Sequence, residues 1–169
     1  VHGGVMDHLV AQGRAGEVAS AIALIRSLGM KAGIAGHVPA VFEWAEKHLD
    51  VDYYMCCYYN PTPRANDPEH VHGAVEEYRE GDRRAMTDLI QTLSRPVIHY
   101  KILAAGRDDA EEAFTTCAAR MRPQDLACVG VFTGDDPRML ETDVRLFEKH
   151  SRARHEATAG VADEAPAVA

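Results

Sequence analysis

The segment Lys31-Ala32-Gly33-Ile34-Ala35-Gly36-His37 decides the reading of this chain. It is short, apolar and glycine-containing, the composition of a buried strand, and it ends on a histidine. Helical patterns flank it. Upstream, residues 14–28 put Val18, Ala21, Ile22, Ile25 and Leu28 on one helical face, and Gly29 follows where a left-handed cap is favoured. Downstream, Pro39 opens a second helix to about Leu49, because a first helical turn has no intrahelical use for the amide that proline lacks.

The same alternation continues to both ends. A preceding strand ends at Val1-His2. Residues 50–60 form an aromatic-rich strand. Residues 60–75, with Pro61, Pro63 and Pro68, form a loop or local lid. A helix over 76–93 is broken by Ser94-Arg95-Pro96, and 96–106 is the next strand with its exit turn. Asp108-Asp109-Ala110-Glu111 resembles a capping box, opening a helix to about Met121. Leu126 to Phe132 is the last strand, and Asp136-Pro137 starts a helix to about His150. Residues 151–169 lack periodicity and read as a disordered tail.

Alternating strands and helices define the α/β class, with parallel (β/α) units joined by right-handed crossovers. A doubly wound sheet and a piece of a barrel both fit. No G-x-G-x-x-G follows the first strand, which lowers the dinucleotide-binding Rossmann reading. A (β/α)8 (TIM) barrel takes about 250 residues. The expectation is therefore the C-terminal half of such a barrel over residues 1–150, about four to five units, with the earlier ones absent.

The 169 residues carry 18 Lys and Arg against 26 Asp and Glu, a net charge of −8, so no basic face is available for phosphate backbones and no nucleic-acid partner is expected. No apolar run approaches the ~18 residues of a membrane span. Cys56, Cys57, Cys117 and Cys128 form no C-x-x-C pair, so they read as reduced thiols of a cytoplasmic protein without a structural zinc. The chain enters directly at a motif with Val1, which leaves room for a targeting segment ahead of it.

In parallel α/β folds of the barrel kind, chemistry sits at the C-terminal ends of the strands. His2, beside Gly3-Gly4 and ahead of Asp7, is placed there as a proton donor; its alternative is a surface histidine in a turn. His37 ends its strand beside glycines that admit a ligand or another backbone. His99 and Lys101 are two apart on one strand and so face one side, with Lys101 as a base or Schiff-base amine, or else paired with a carboxylate. Gly106-Arg107, with Gly130, Thr133 and Gly134, is a candidate phosphate cradle, opposed by Asp108, Asp109, Asp135 and Asp136 at the same helix starts. A metal on His2, His37 and His99 is geometrically conceivable, but no H-E-x-x-H occurs, His70-x-His72 falls in the loop, and no metal ligand is assigned.

The order of these motifs resembles the C-terminal half of the aldo-keto reductase superfamily, and most of all uncharacterised bacterial relatives of it. The resemblance runs over about residues 1–150. It rests on His2-Gly3, the Gly29 to His37 segment, the strand ending Tyr59-Asn60-Pro61, Lys101 to Gly106, and Val129 to Thr133. It implies a barrel that reduces a carbonyl or sugar-like substrate with NADP. His2 would orient the carbonyl, Tyr59 would stack on nicotinamide, and Gly130, Thr133 and Asp143 would lie along the dinucleotide; His37, Gly106 and Arg107 complete the cofactor-facing set. Gly33-Ile34-Ala35-Gly36 and Cys56 stand where the family carries amide-gripping side chains, which implies weaker cofactor binding. Two alternatives stand beside this one: a barrel lyase or isomerase using Lys101 with His99, and a truncated, non-catalytic fragment that self-associates into a homo-oligomer.

Overall fold

A computed structural model describes residues 1–69, 73–134 and 136–163, with side chains described through residue 153. The elements are α1 (Gly3–Ala11), a 3-10 turn (Ala15–Glu17), α2 (Val18–Ser27), β1 (Gly33–Gly36), α3 (Pro39–His48), β2 (Tyr53–Cys57), α4 (Glu80–Ile90), β3 (Val97–Tyr100), α5 (Ala110–Arg120), β4 (Leu126–Cys128) and α6 (Met139–Asp163). The four strands form one all-parallel sheet in the order β1-β2-β3-β4. Val1 extends the ladder beyond β1: its ammonium donates to the Gly33 carbonyl at 2.6 Å, and its carbonyl accepts from the Ala35 amide at 3.0 Å.

Sequential order with parallel pairing means that every crossover steps the same way, and right-handed crossovers then put the helices on one face. The burial shows it. Ile34, Tyr54, Cys56 and Val97 pack with Val41, Phe42 and Ala45 of α3, Met86 and Ile90 of α4, and Phe114 and Cys117 of α5 in a single core. The opposite face alternates with it, as strand geometry requires. It carries Ala35, Tyr53, Met55, Ile98 and Tyr100, all half-buried, and Leu126, 62% exposed. Tyr53 shields part of it, laying its ring over Gly33 where any Cβ would collide, and Cys57 at the end of β2 is buried.

Several boundaries depart from the sequence reading for identifiable reasons. Helix α1 was not expected, because Gly3 and Gly4 are weak helix formers. Its start is secured by His2, whose Nδ1 accepts the Gly4 amide at 3.2 Å. Both glycines are needed for closeness: a Cβ on Gly3 would come within 3.0 Å of the His37 ring, and one on Gly4 would strike the Pro68 carbonyl. The capping pair of α5 is Asp109 with Glu112, one residue later than read; Asp109 accepts the Glu112 amide at 3.0 Å. Asp109→Ala should cost about 1 kcal/mol in urea unfolding. The last helix does not stop at His150. It runs to Asp163, so the expected disordered tail is corrected as far as that residue, where alanines recur and favour helix; the rest of the tail lies outside the described residues. Among the described residues no helix is long and apolar enough to cross a membrane.

The long connection after β2 is the irregular segment expected of 60–75, extended to α4. Glu77 donates its amide to the Pro61 carbonyl at 3.1 Å, closing the base of the loop. The Ala65 carbonyl meets His8 Nδ1 at 3.1 Å and accepts from Gln12 Nε2 at 2.9 Å, which ties the loop to α1. His70 and His72 lie outside the described residues.

Candidate active site at the strand exits

At the exit of β1, the His37 amide donates to Asp7 Oδ1 at 2.9 Å and the ring Nδ1 meets Asp7 Oδ2 at 2.6 Å. Both side chains are largely buried. Asp7 stands one helical turn after Gly3 on α1, so the turn that brings Gly3 against the ring also presents the carboxylate to it. A carboxylate can only accept here, so Nδ1 carries a proton, and in the neutral ring Nε2 keeps its lone pair. Nε2 has no hydrogen-bond partner among the described residues.

Cys57 ends β2 beside this pair. Burial pushes its thiol up to about 11; a backbone hydrogen bond at Tyr59 and the charge of Lys101 oppose that shift, while Asp7 and Asp82 add to it. Asp82, in the first turn of α4, accepts the Asn60 amide at 3.3 Å. Because the sheet is parallel, the exits of β1, β2 and β3 share one rim, which carries His37 with Asp7, Cys57 and Lys101 in strand order, with Asp82 of α4 held to Asn60 just past β2.

Lys101 is not on the strand. β3 ends at Tyr100, and Lys101 turns to φ +57°. Ala104 (+48°), Ala105 (+55°) and Gly106 (+81°) then run consecutively in the left-handed region. Two alanines there cost about 1–2 kcal/mol each, and strain of this kind is concentrated at functional sites. The turn lets Lys101, Gly106 and Gly130 line one cleft of about 580 Å³ between the β3 and β4 exits. Ala105→Gly should relieve the strain and stabilise the fold by about 1 kcal/mol in thermal or urea unfolding.

The expectation that His99 shares a side with Lys101 is corrected by this turn. His99 lies on the helix-facing side, fully buried. Its Nδ1 is 2.8 Å from the Tyr58 hydroxyl and its Nε2 is 3.3 Å from Asp125 Oδ2. Asp125 also accepts from the Val97 amide at 2.9 Å, the Arg122 amide at 2.8 Å, and Arg122 Nε and Nη2 at 3.0 and 2.9 Å. With Asp125 as acceptor, Nε2 carries a proton, and in the neutral ring Tyr58 donates to Nδ1. His99 is thereby removed both from catalysis and from a three-histidine metal site. Among the described residues, no group of three or more His, Cys, Asp or Glu is placed to hold a metal ion.

The residues matched to a dinucleotide do not converge. Tyr59 is 2% exposed; its hydroxyl donates to Asp108 Oδ2 at 2.5 Å and its ring meets Tyr78 edge-on at 5.4 Å. That leaves no open face for a nicotinamide. Arg107 lies over the Tyr78 ring, 4.5 Å from its centre. His37 is engaged by Asp7. Gly106 and Gly130 share the Lys101 cleft, Thr133 is exposed beyond it, and Asp143 lines a separate apolar cavity. Of these positions, Gly106 and Gly130 line a common cleft. Asp135 lies outside the described residues. His2 is exposed and spends Nδ1 on its helix cap, which leaves Nε2–H as its donor.

Asp82 and Cys57 were not singled out as chemistry-bearing; Asp7 entered only with the His2 segment, and Asp108 only as a charge opposing an anion. The signal for Asp7 was the Gly3-x-x-x-Asp7 interval, legible only once 3–11 is taken as a helix. No family model matches this chain, and neither the curated proteins nor the solved structures contain a match to it.

Proposed function

We propose that the rim is an acid–base site acting on a small carbonyl or sugar-like substrate, in a chain that forms half of a (β/α) barrel. The observation that carries the chemistry is the Asp7–His37 pair, with the proton fixed on Nδ1 and the lone pair of Nε2 left for substrate. In the proposed step Nε2 takes a proton from carbon next to the substrate carbonyl. The C–H pair becomes the enolate double bond, and the carbonyl π pair moves onto oxygen. Lys101 at the β3 exit supplies the cation for that oxygen. Returning the proton to the neighbouring carbon, with the hydroxyl proton transferred, gives an isomer; returning it to the same carbon gives solvent exchange alone.

The barrel reading is supported by the sequential parallel order and by the apolar sheet face that the helices leave open. A doubly wound sheet reverses its strand order and covers both faces; this sheet does neither. The open face is the barrel interior in this reading, closed by further (β/α) units. Alone, the chain should therefore self-associate in light scattering, and Leu126→Lys with Met55→Lys should reduce that association. A monodisperse monomer at high concentration would contradict the half-barrel.

Proton NMR in D2O with dihydroxyacetone and a panel of ketoses and aldoses tests the chemistry. The expected result is loss of the signal from hydrogens next to the carbonyl, dependent on the protein and independent of added nucleotide. Intact signals together with quenching of NADPH fluorescence would replace this reading with a reductase of the aldo-keto type.

A further inference from the structure

Away from the rim, β4 with its exit, α5 and α6 line an open cavity of about 380 Å³. That is within the size range of small-molecule sites. Phe114, Val129, Val131, Val144 and Phe147 make its wall apolar. Asp143 interrupts that wall. It is 93% buried, being 7% exposed, and its Oδ2 is closed off without a hydrogen-bond partner. Its other oxygen is not closed off in the same way, and it meets no donor among the described side chains and amides. The contrast with Asp125, which is equally enclosed and accepts five hydrogen bonds, is plain. Desolvation accordingly raises the Asp143 carboxyl above its ordinary value.

A buried carboxylate without a donor is a cost that a fold keeps only if something relieves it. Among the described residues no charge of the protein pairs with it. Glu148, the other charged group in the wall, is of the same sign, and it faces outward to Arg152 at 3.8 Å. A donor from outside, attached to an apolar body that fills the cavity, meets both requirements. We propose that this cavity is a binding site for an alkyl- or arylammonium ligand, with its hydrocarbon part against Phe114 and Phe147 and its ammonium on Asp143. The site is independent of the strand-exit chemistry.

Calorimetric or NMR titration of the whole chain with hexylammonium and, as the uncharged probe of similar shape, hexan-1-ol tests it at neutral pH. The ammonium should bind about tenfold or more tightly than the alcohol, the difference one charge-assisted hydrogen bond makes. Asp143→Asn should erase that preference while alcohol binding persists, which also shows that the cavity is intact. Asp143→Leu should melt higher than the parent chain, because it removes the unpartnered charge. Equal affinity of both probes for the parent chain, or an ammonium preference that survives in Asp143→Asn, would overturn the proposal. Neither outcome bears on solvent exchange at the rim.

Discussion

Asp125→Asn is expected to remove about 3–5 kcal/mol of stability, the largest loss from any single polar substitution in this chain. The carboxylate is fully enclosed and gathers Val97, His99 and Arg122, so it joins the entry of β3 to the entry of β4. An amide in its place turns two donors toward a guanidinium and a ring N–H, leaving a buried charge without its counter-charge. Asp88→Asn is the comparison. Asp88 pairs with Arg120 at 2.9 Å, but both are solvent-exposed, and such pairs contribute at most about 1 kcal/mol. Urea unfolding at pH 7 should show the Asp125 variant with a much lower midpoint and an unchanged slope.

The same carboxylate gives the pH dependence its sign. Burial pushes the Asp125 carboxyl up, but the hydrogen bonds from His99, Arg122 and Val97 more than reverse it and hold it well below the usual carboxylate range. A group whose folded value is depressed contributes its full stability above the unfolded value, 3.8 here, and loses it as pH falls toward the folded value. The gap between the parent chain and Asp125→Asn should thus be full at pH 5 to 7 and narrow progressively below about pH 4. A constant gap down to pH 2 would contradict this assignment.

The second large effect is expected at the rim. Asp7→Asn should lower the rate of solvent exchange into substrate by about 10⁴-fold with little loss of fold. Asparagine can present an N–H to His37 Nδ1, which then becomes the acceptor, and the proton moves to Nε2. The ring stays in place, but its lone pair faces the wrong way. His37→Gln should lower the rate comparably. Lys101→Met should lower it less, because it removes the cation facing the oxygen and leaves the base. Equal rates in the parent chain and Asp7→Asn would remove the orienting role.

How far the sequence carries depends on whether a signal is local. The alternation of short apolar runs with 3.6-residue patterns marks β1 to β4 and α2 to α5 to within a few residues. Local patterns also place His37 at a strand exit and Pro39 in the first turn of α3. They cannot tell which histidine is a rim residue. His37 and His99 both stand near the exits of short apolar strands, yet Asp7 reaches one from α1 and Asp125 reaches the other from the loop before β4, 30 and 26 residues away. Lys101 was misplaced because the left-handed turn at 101–106 uses Lys and Ala, with only Gly106 advertising it. Open sheet faces are equally silent: Met55, Ile98 and Leu126 are ordinary core residues by type, and only topology leaves them uncovered.

The central claim is that Asp7 sets the tautomer of His37 and so creates a base at the strand exits. Long-range ¹H–¹⁵N correlation spectra of the imidazole rings, recorded above the titration of the histidines, measure this without any substrate. The account predicts a protonated Nδ1 and a bare Nε2 for His37, the reverse for His99, and a switch of His37 alone in Asp7→Asn. A proton on Nε2 of His37 in the parent chain, unchanged by Asp7→Asn, would contradict it.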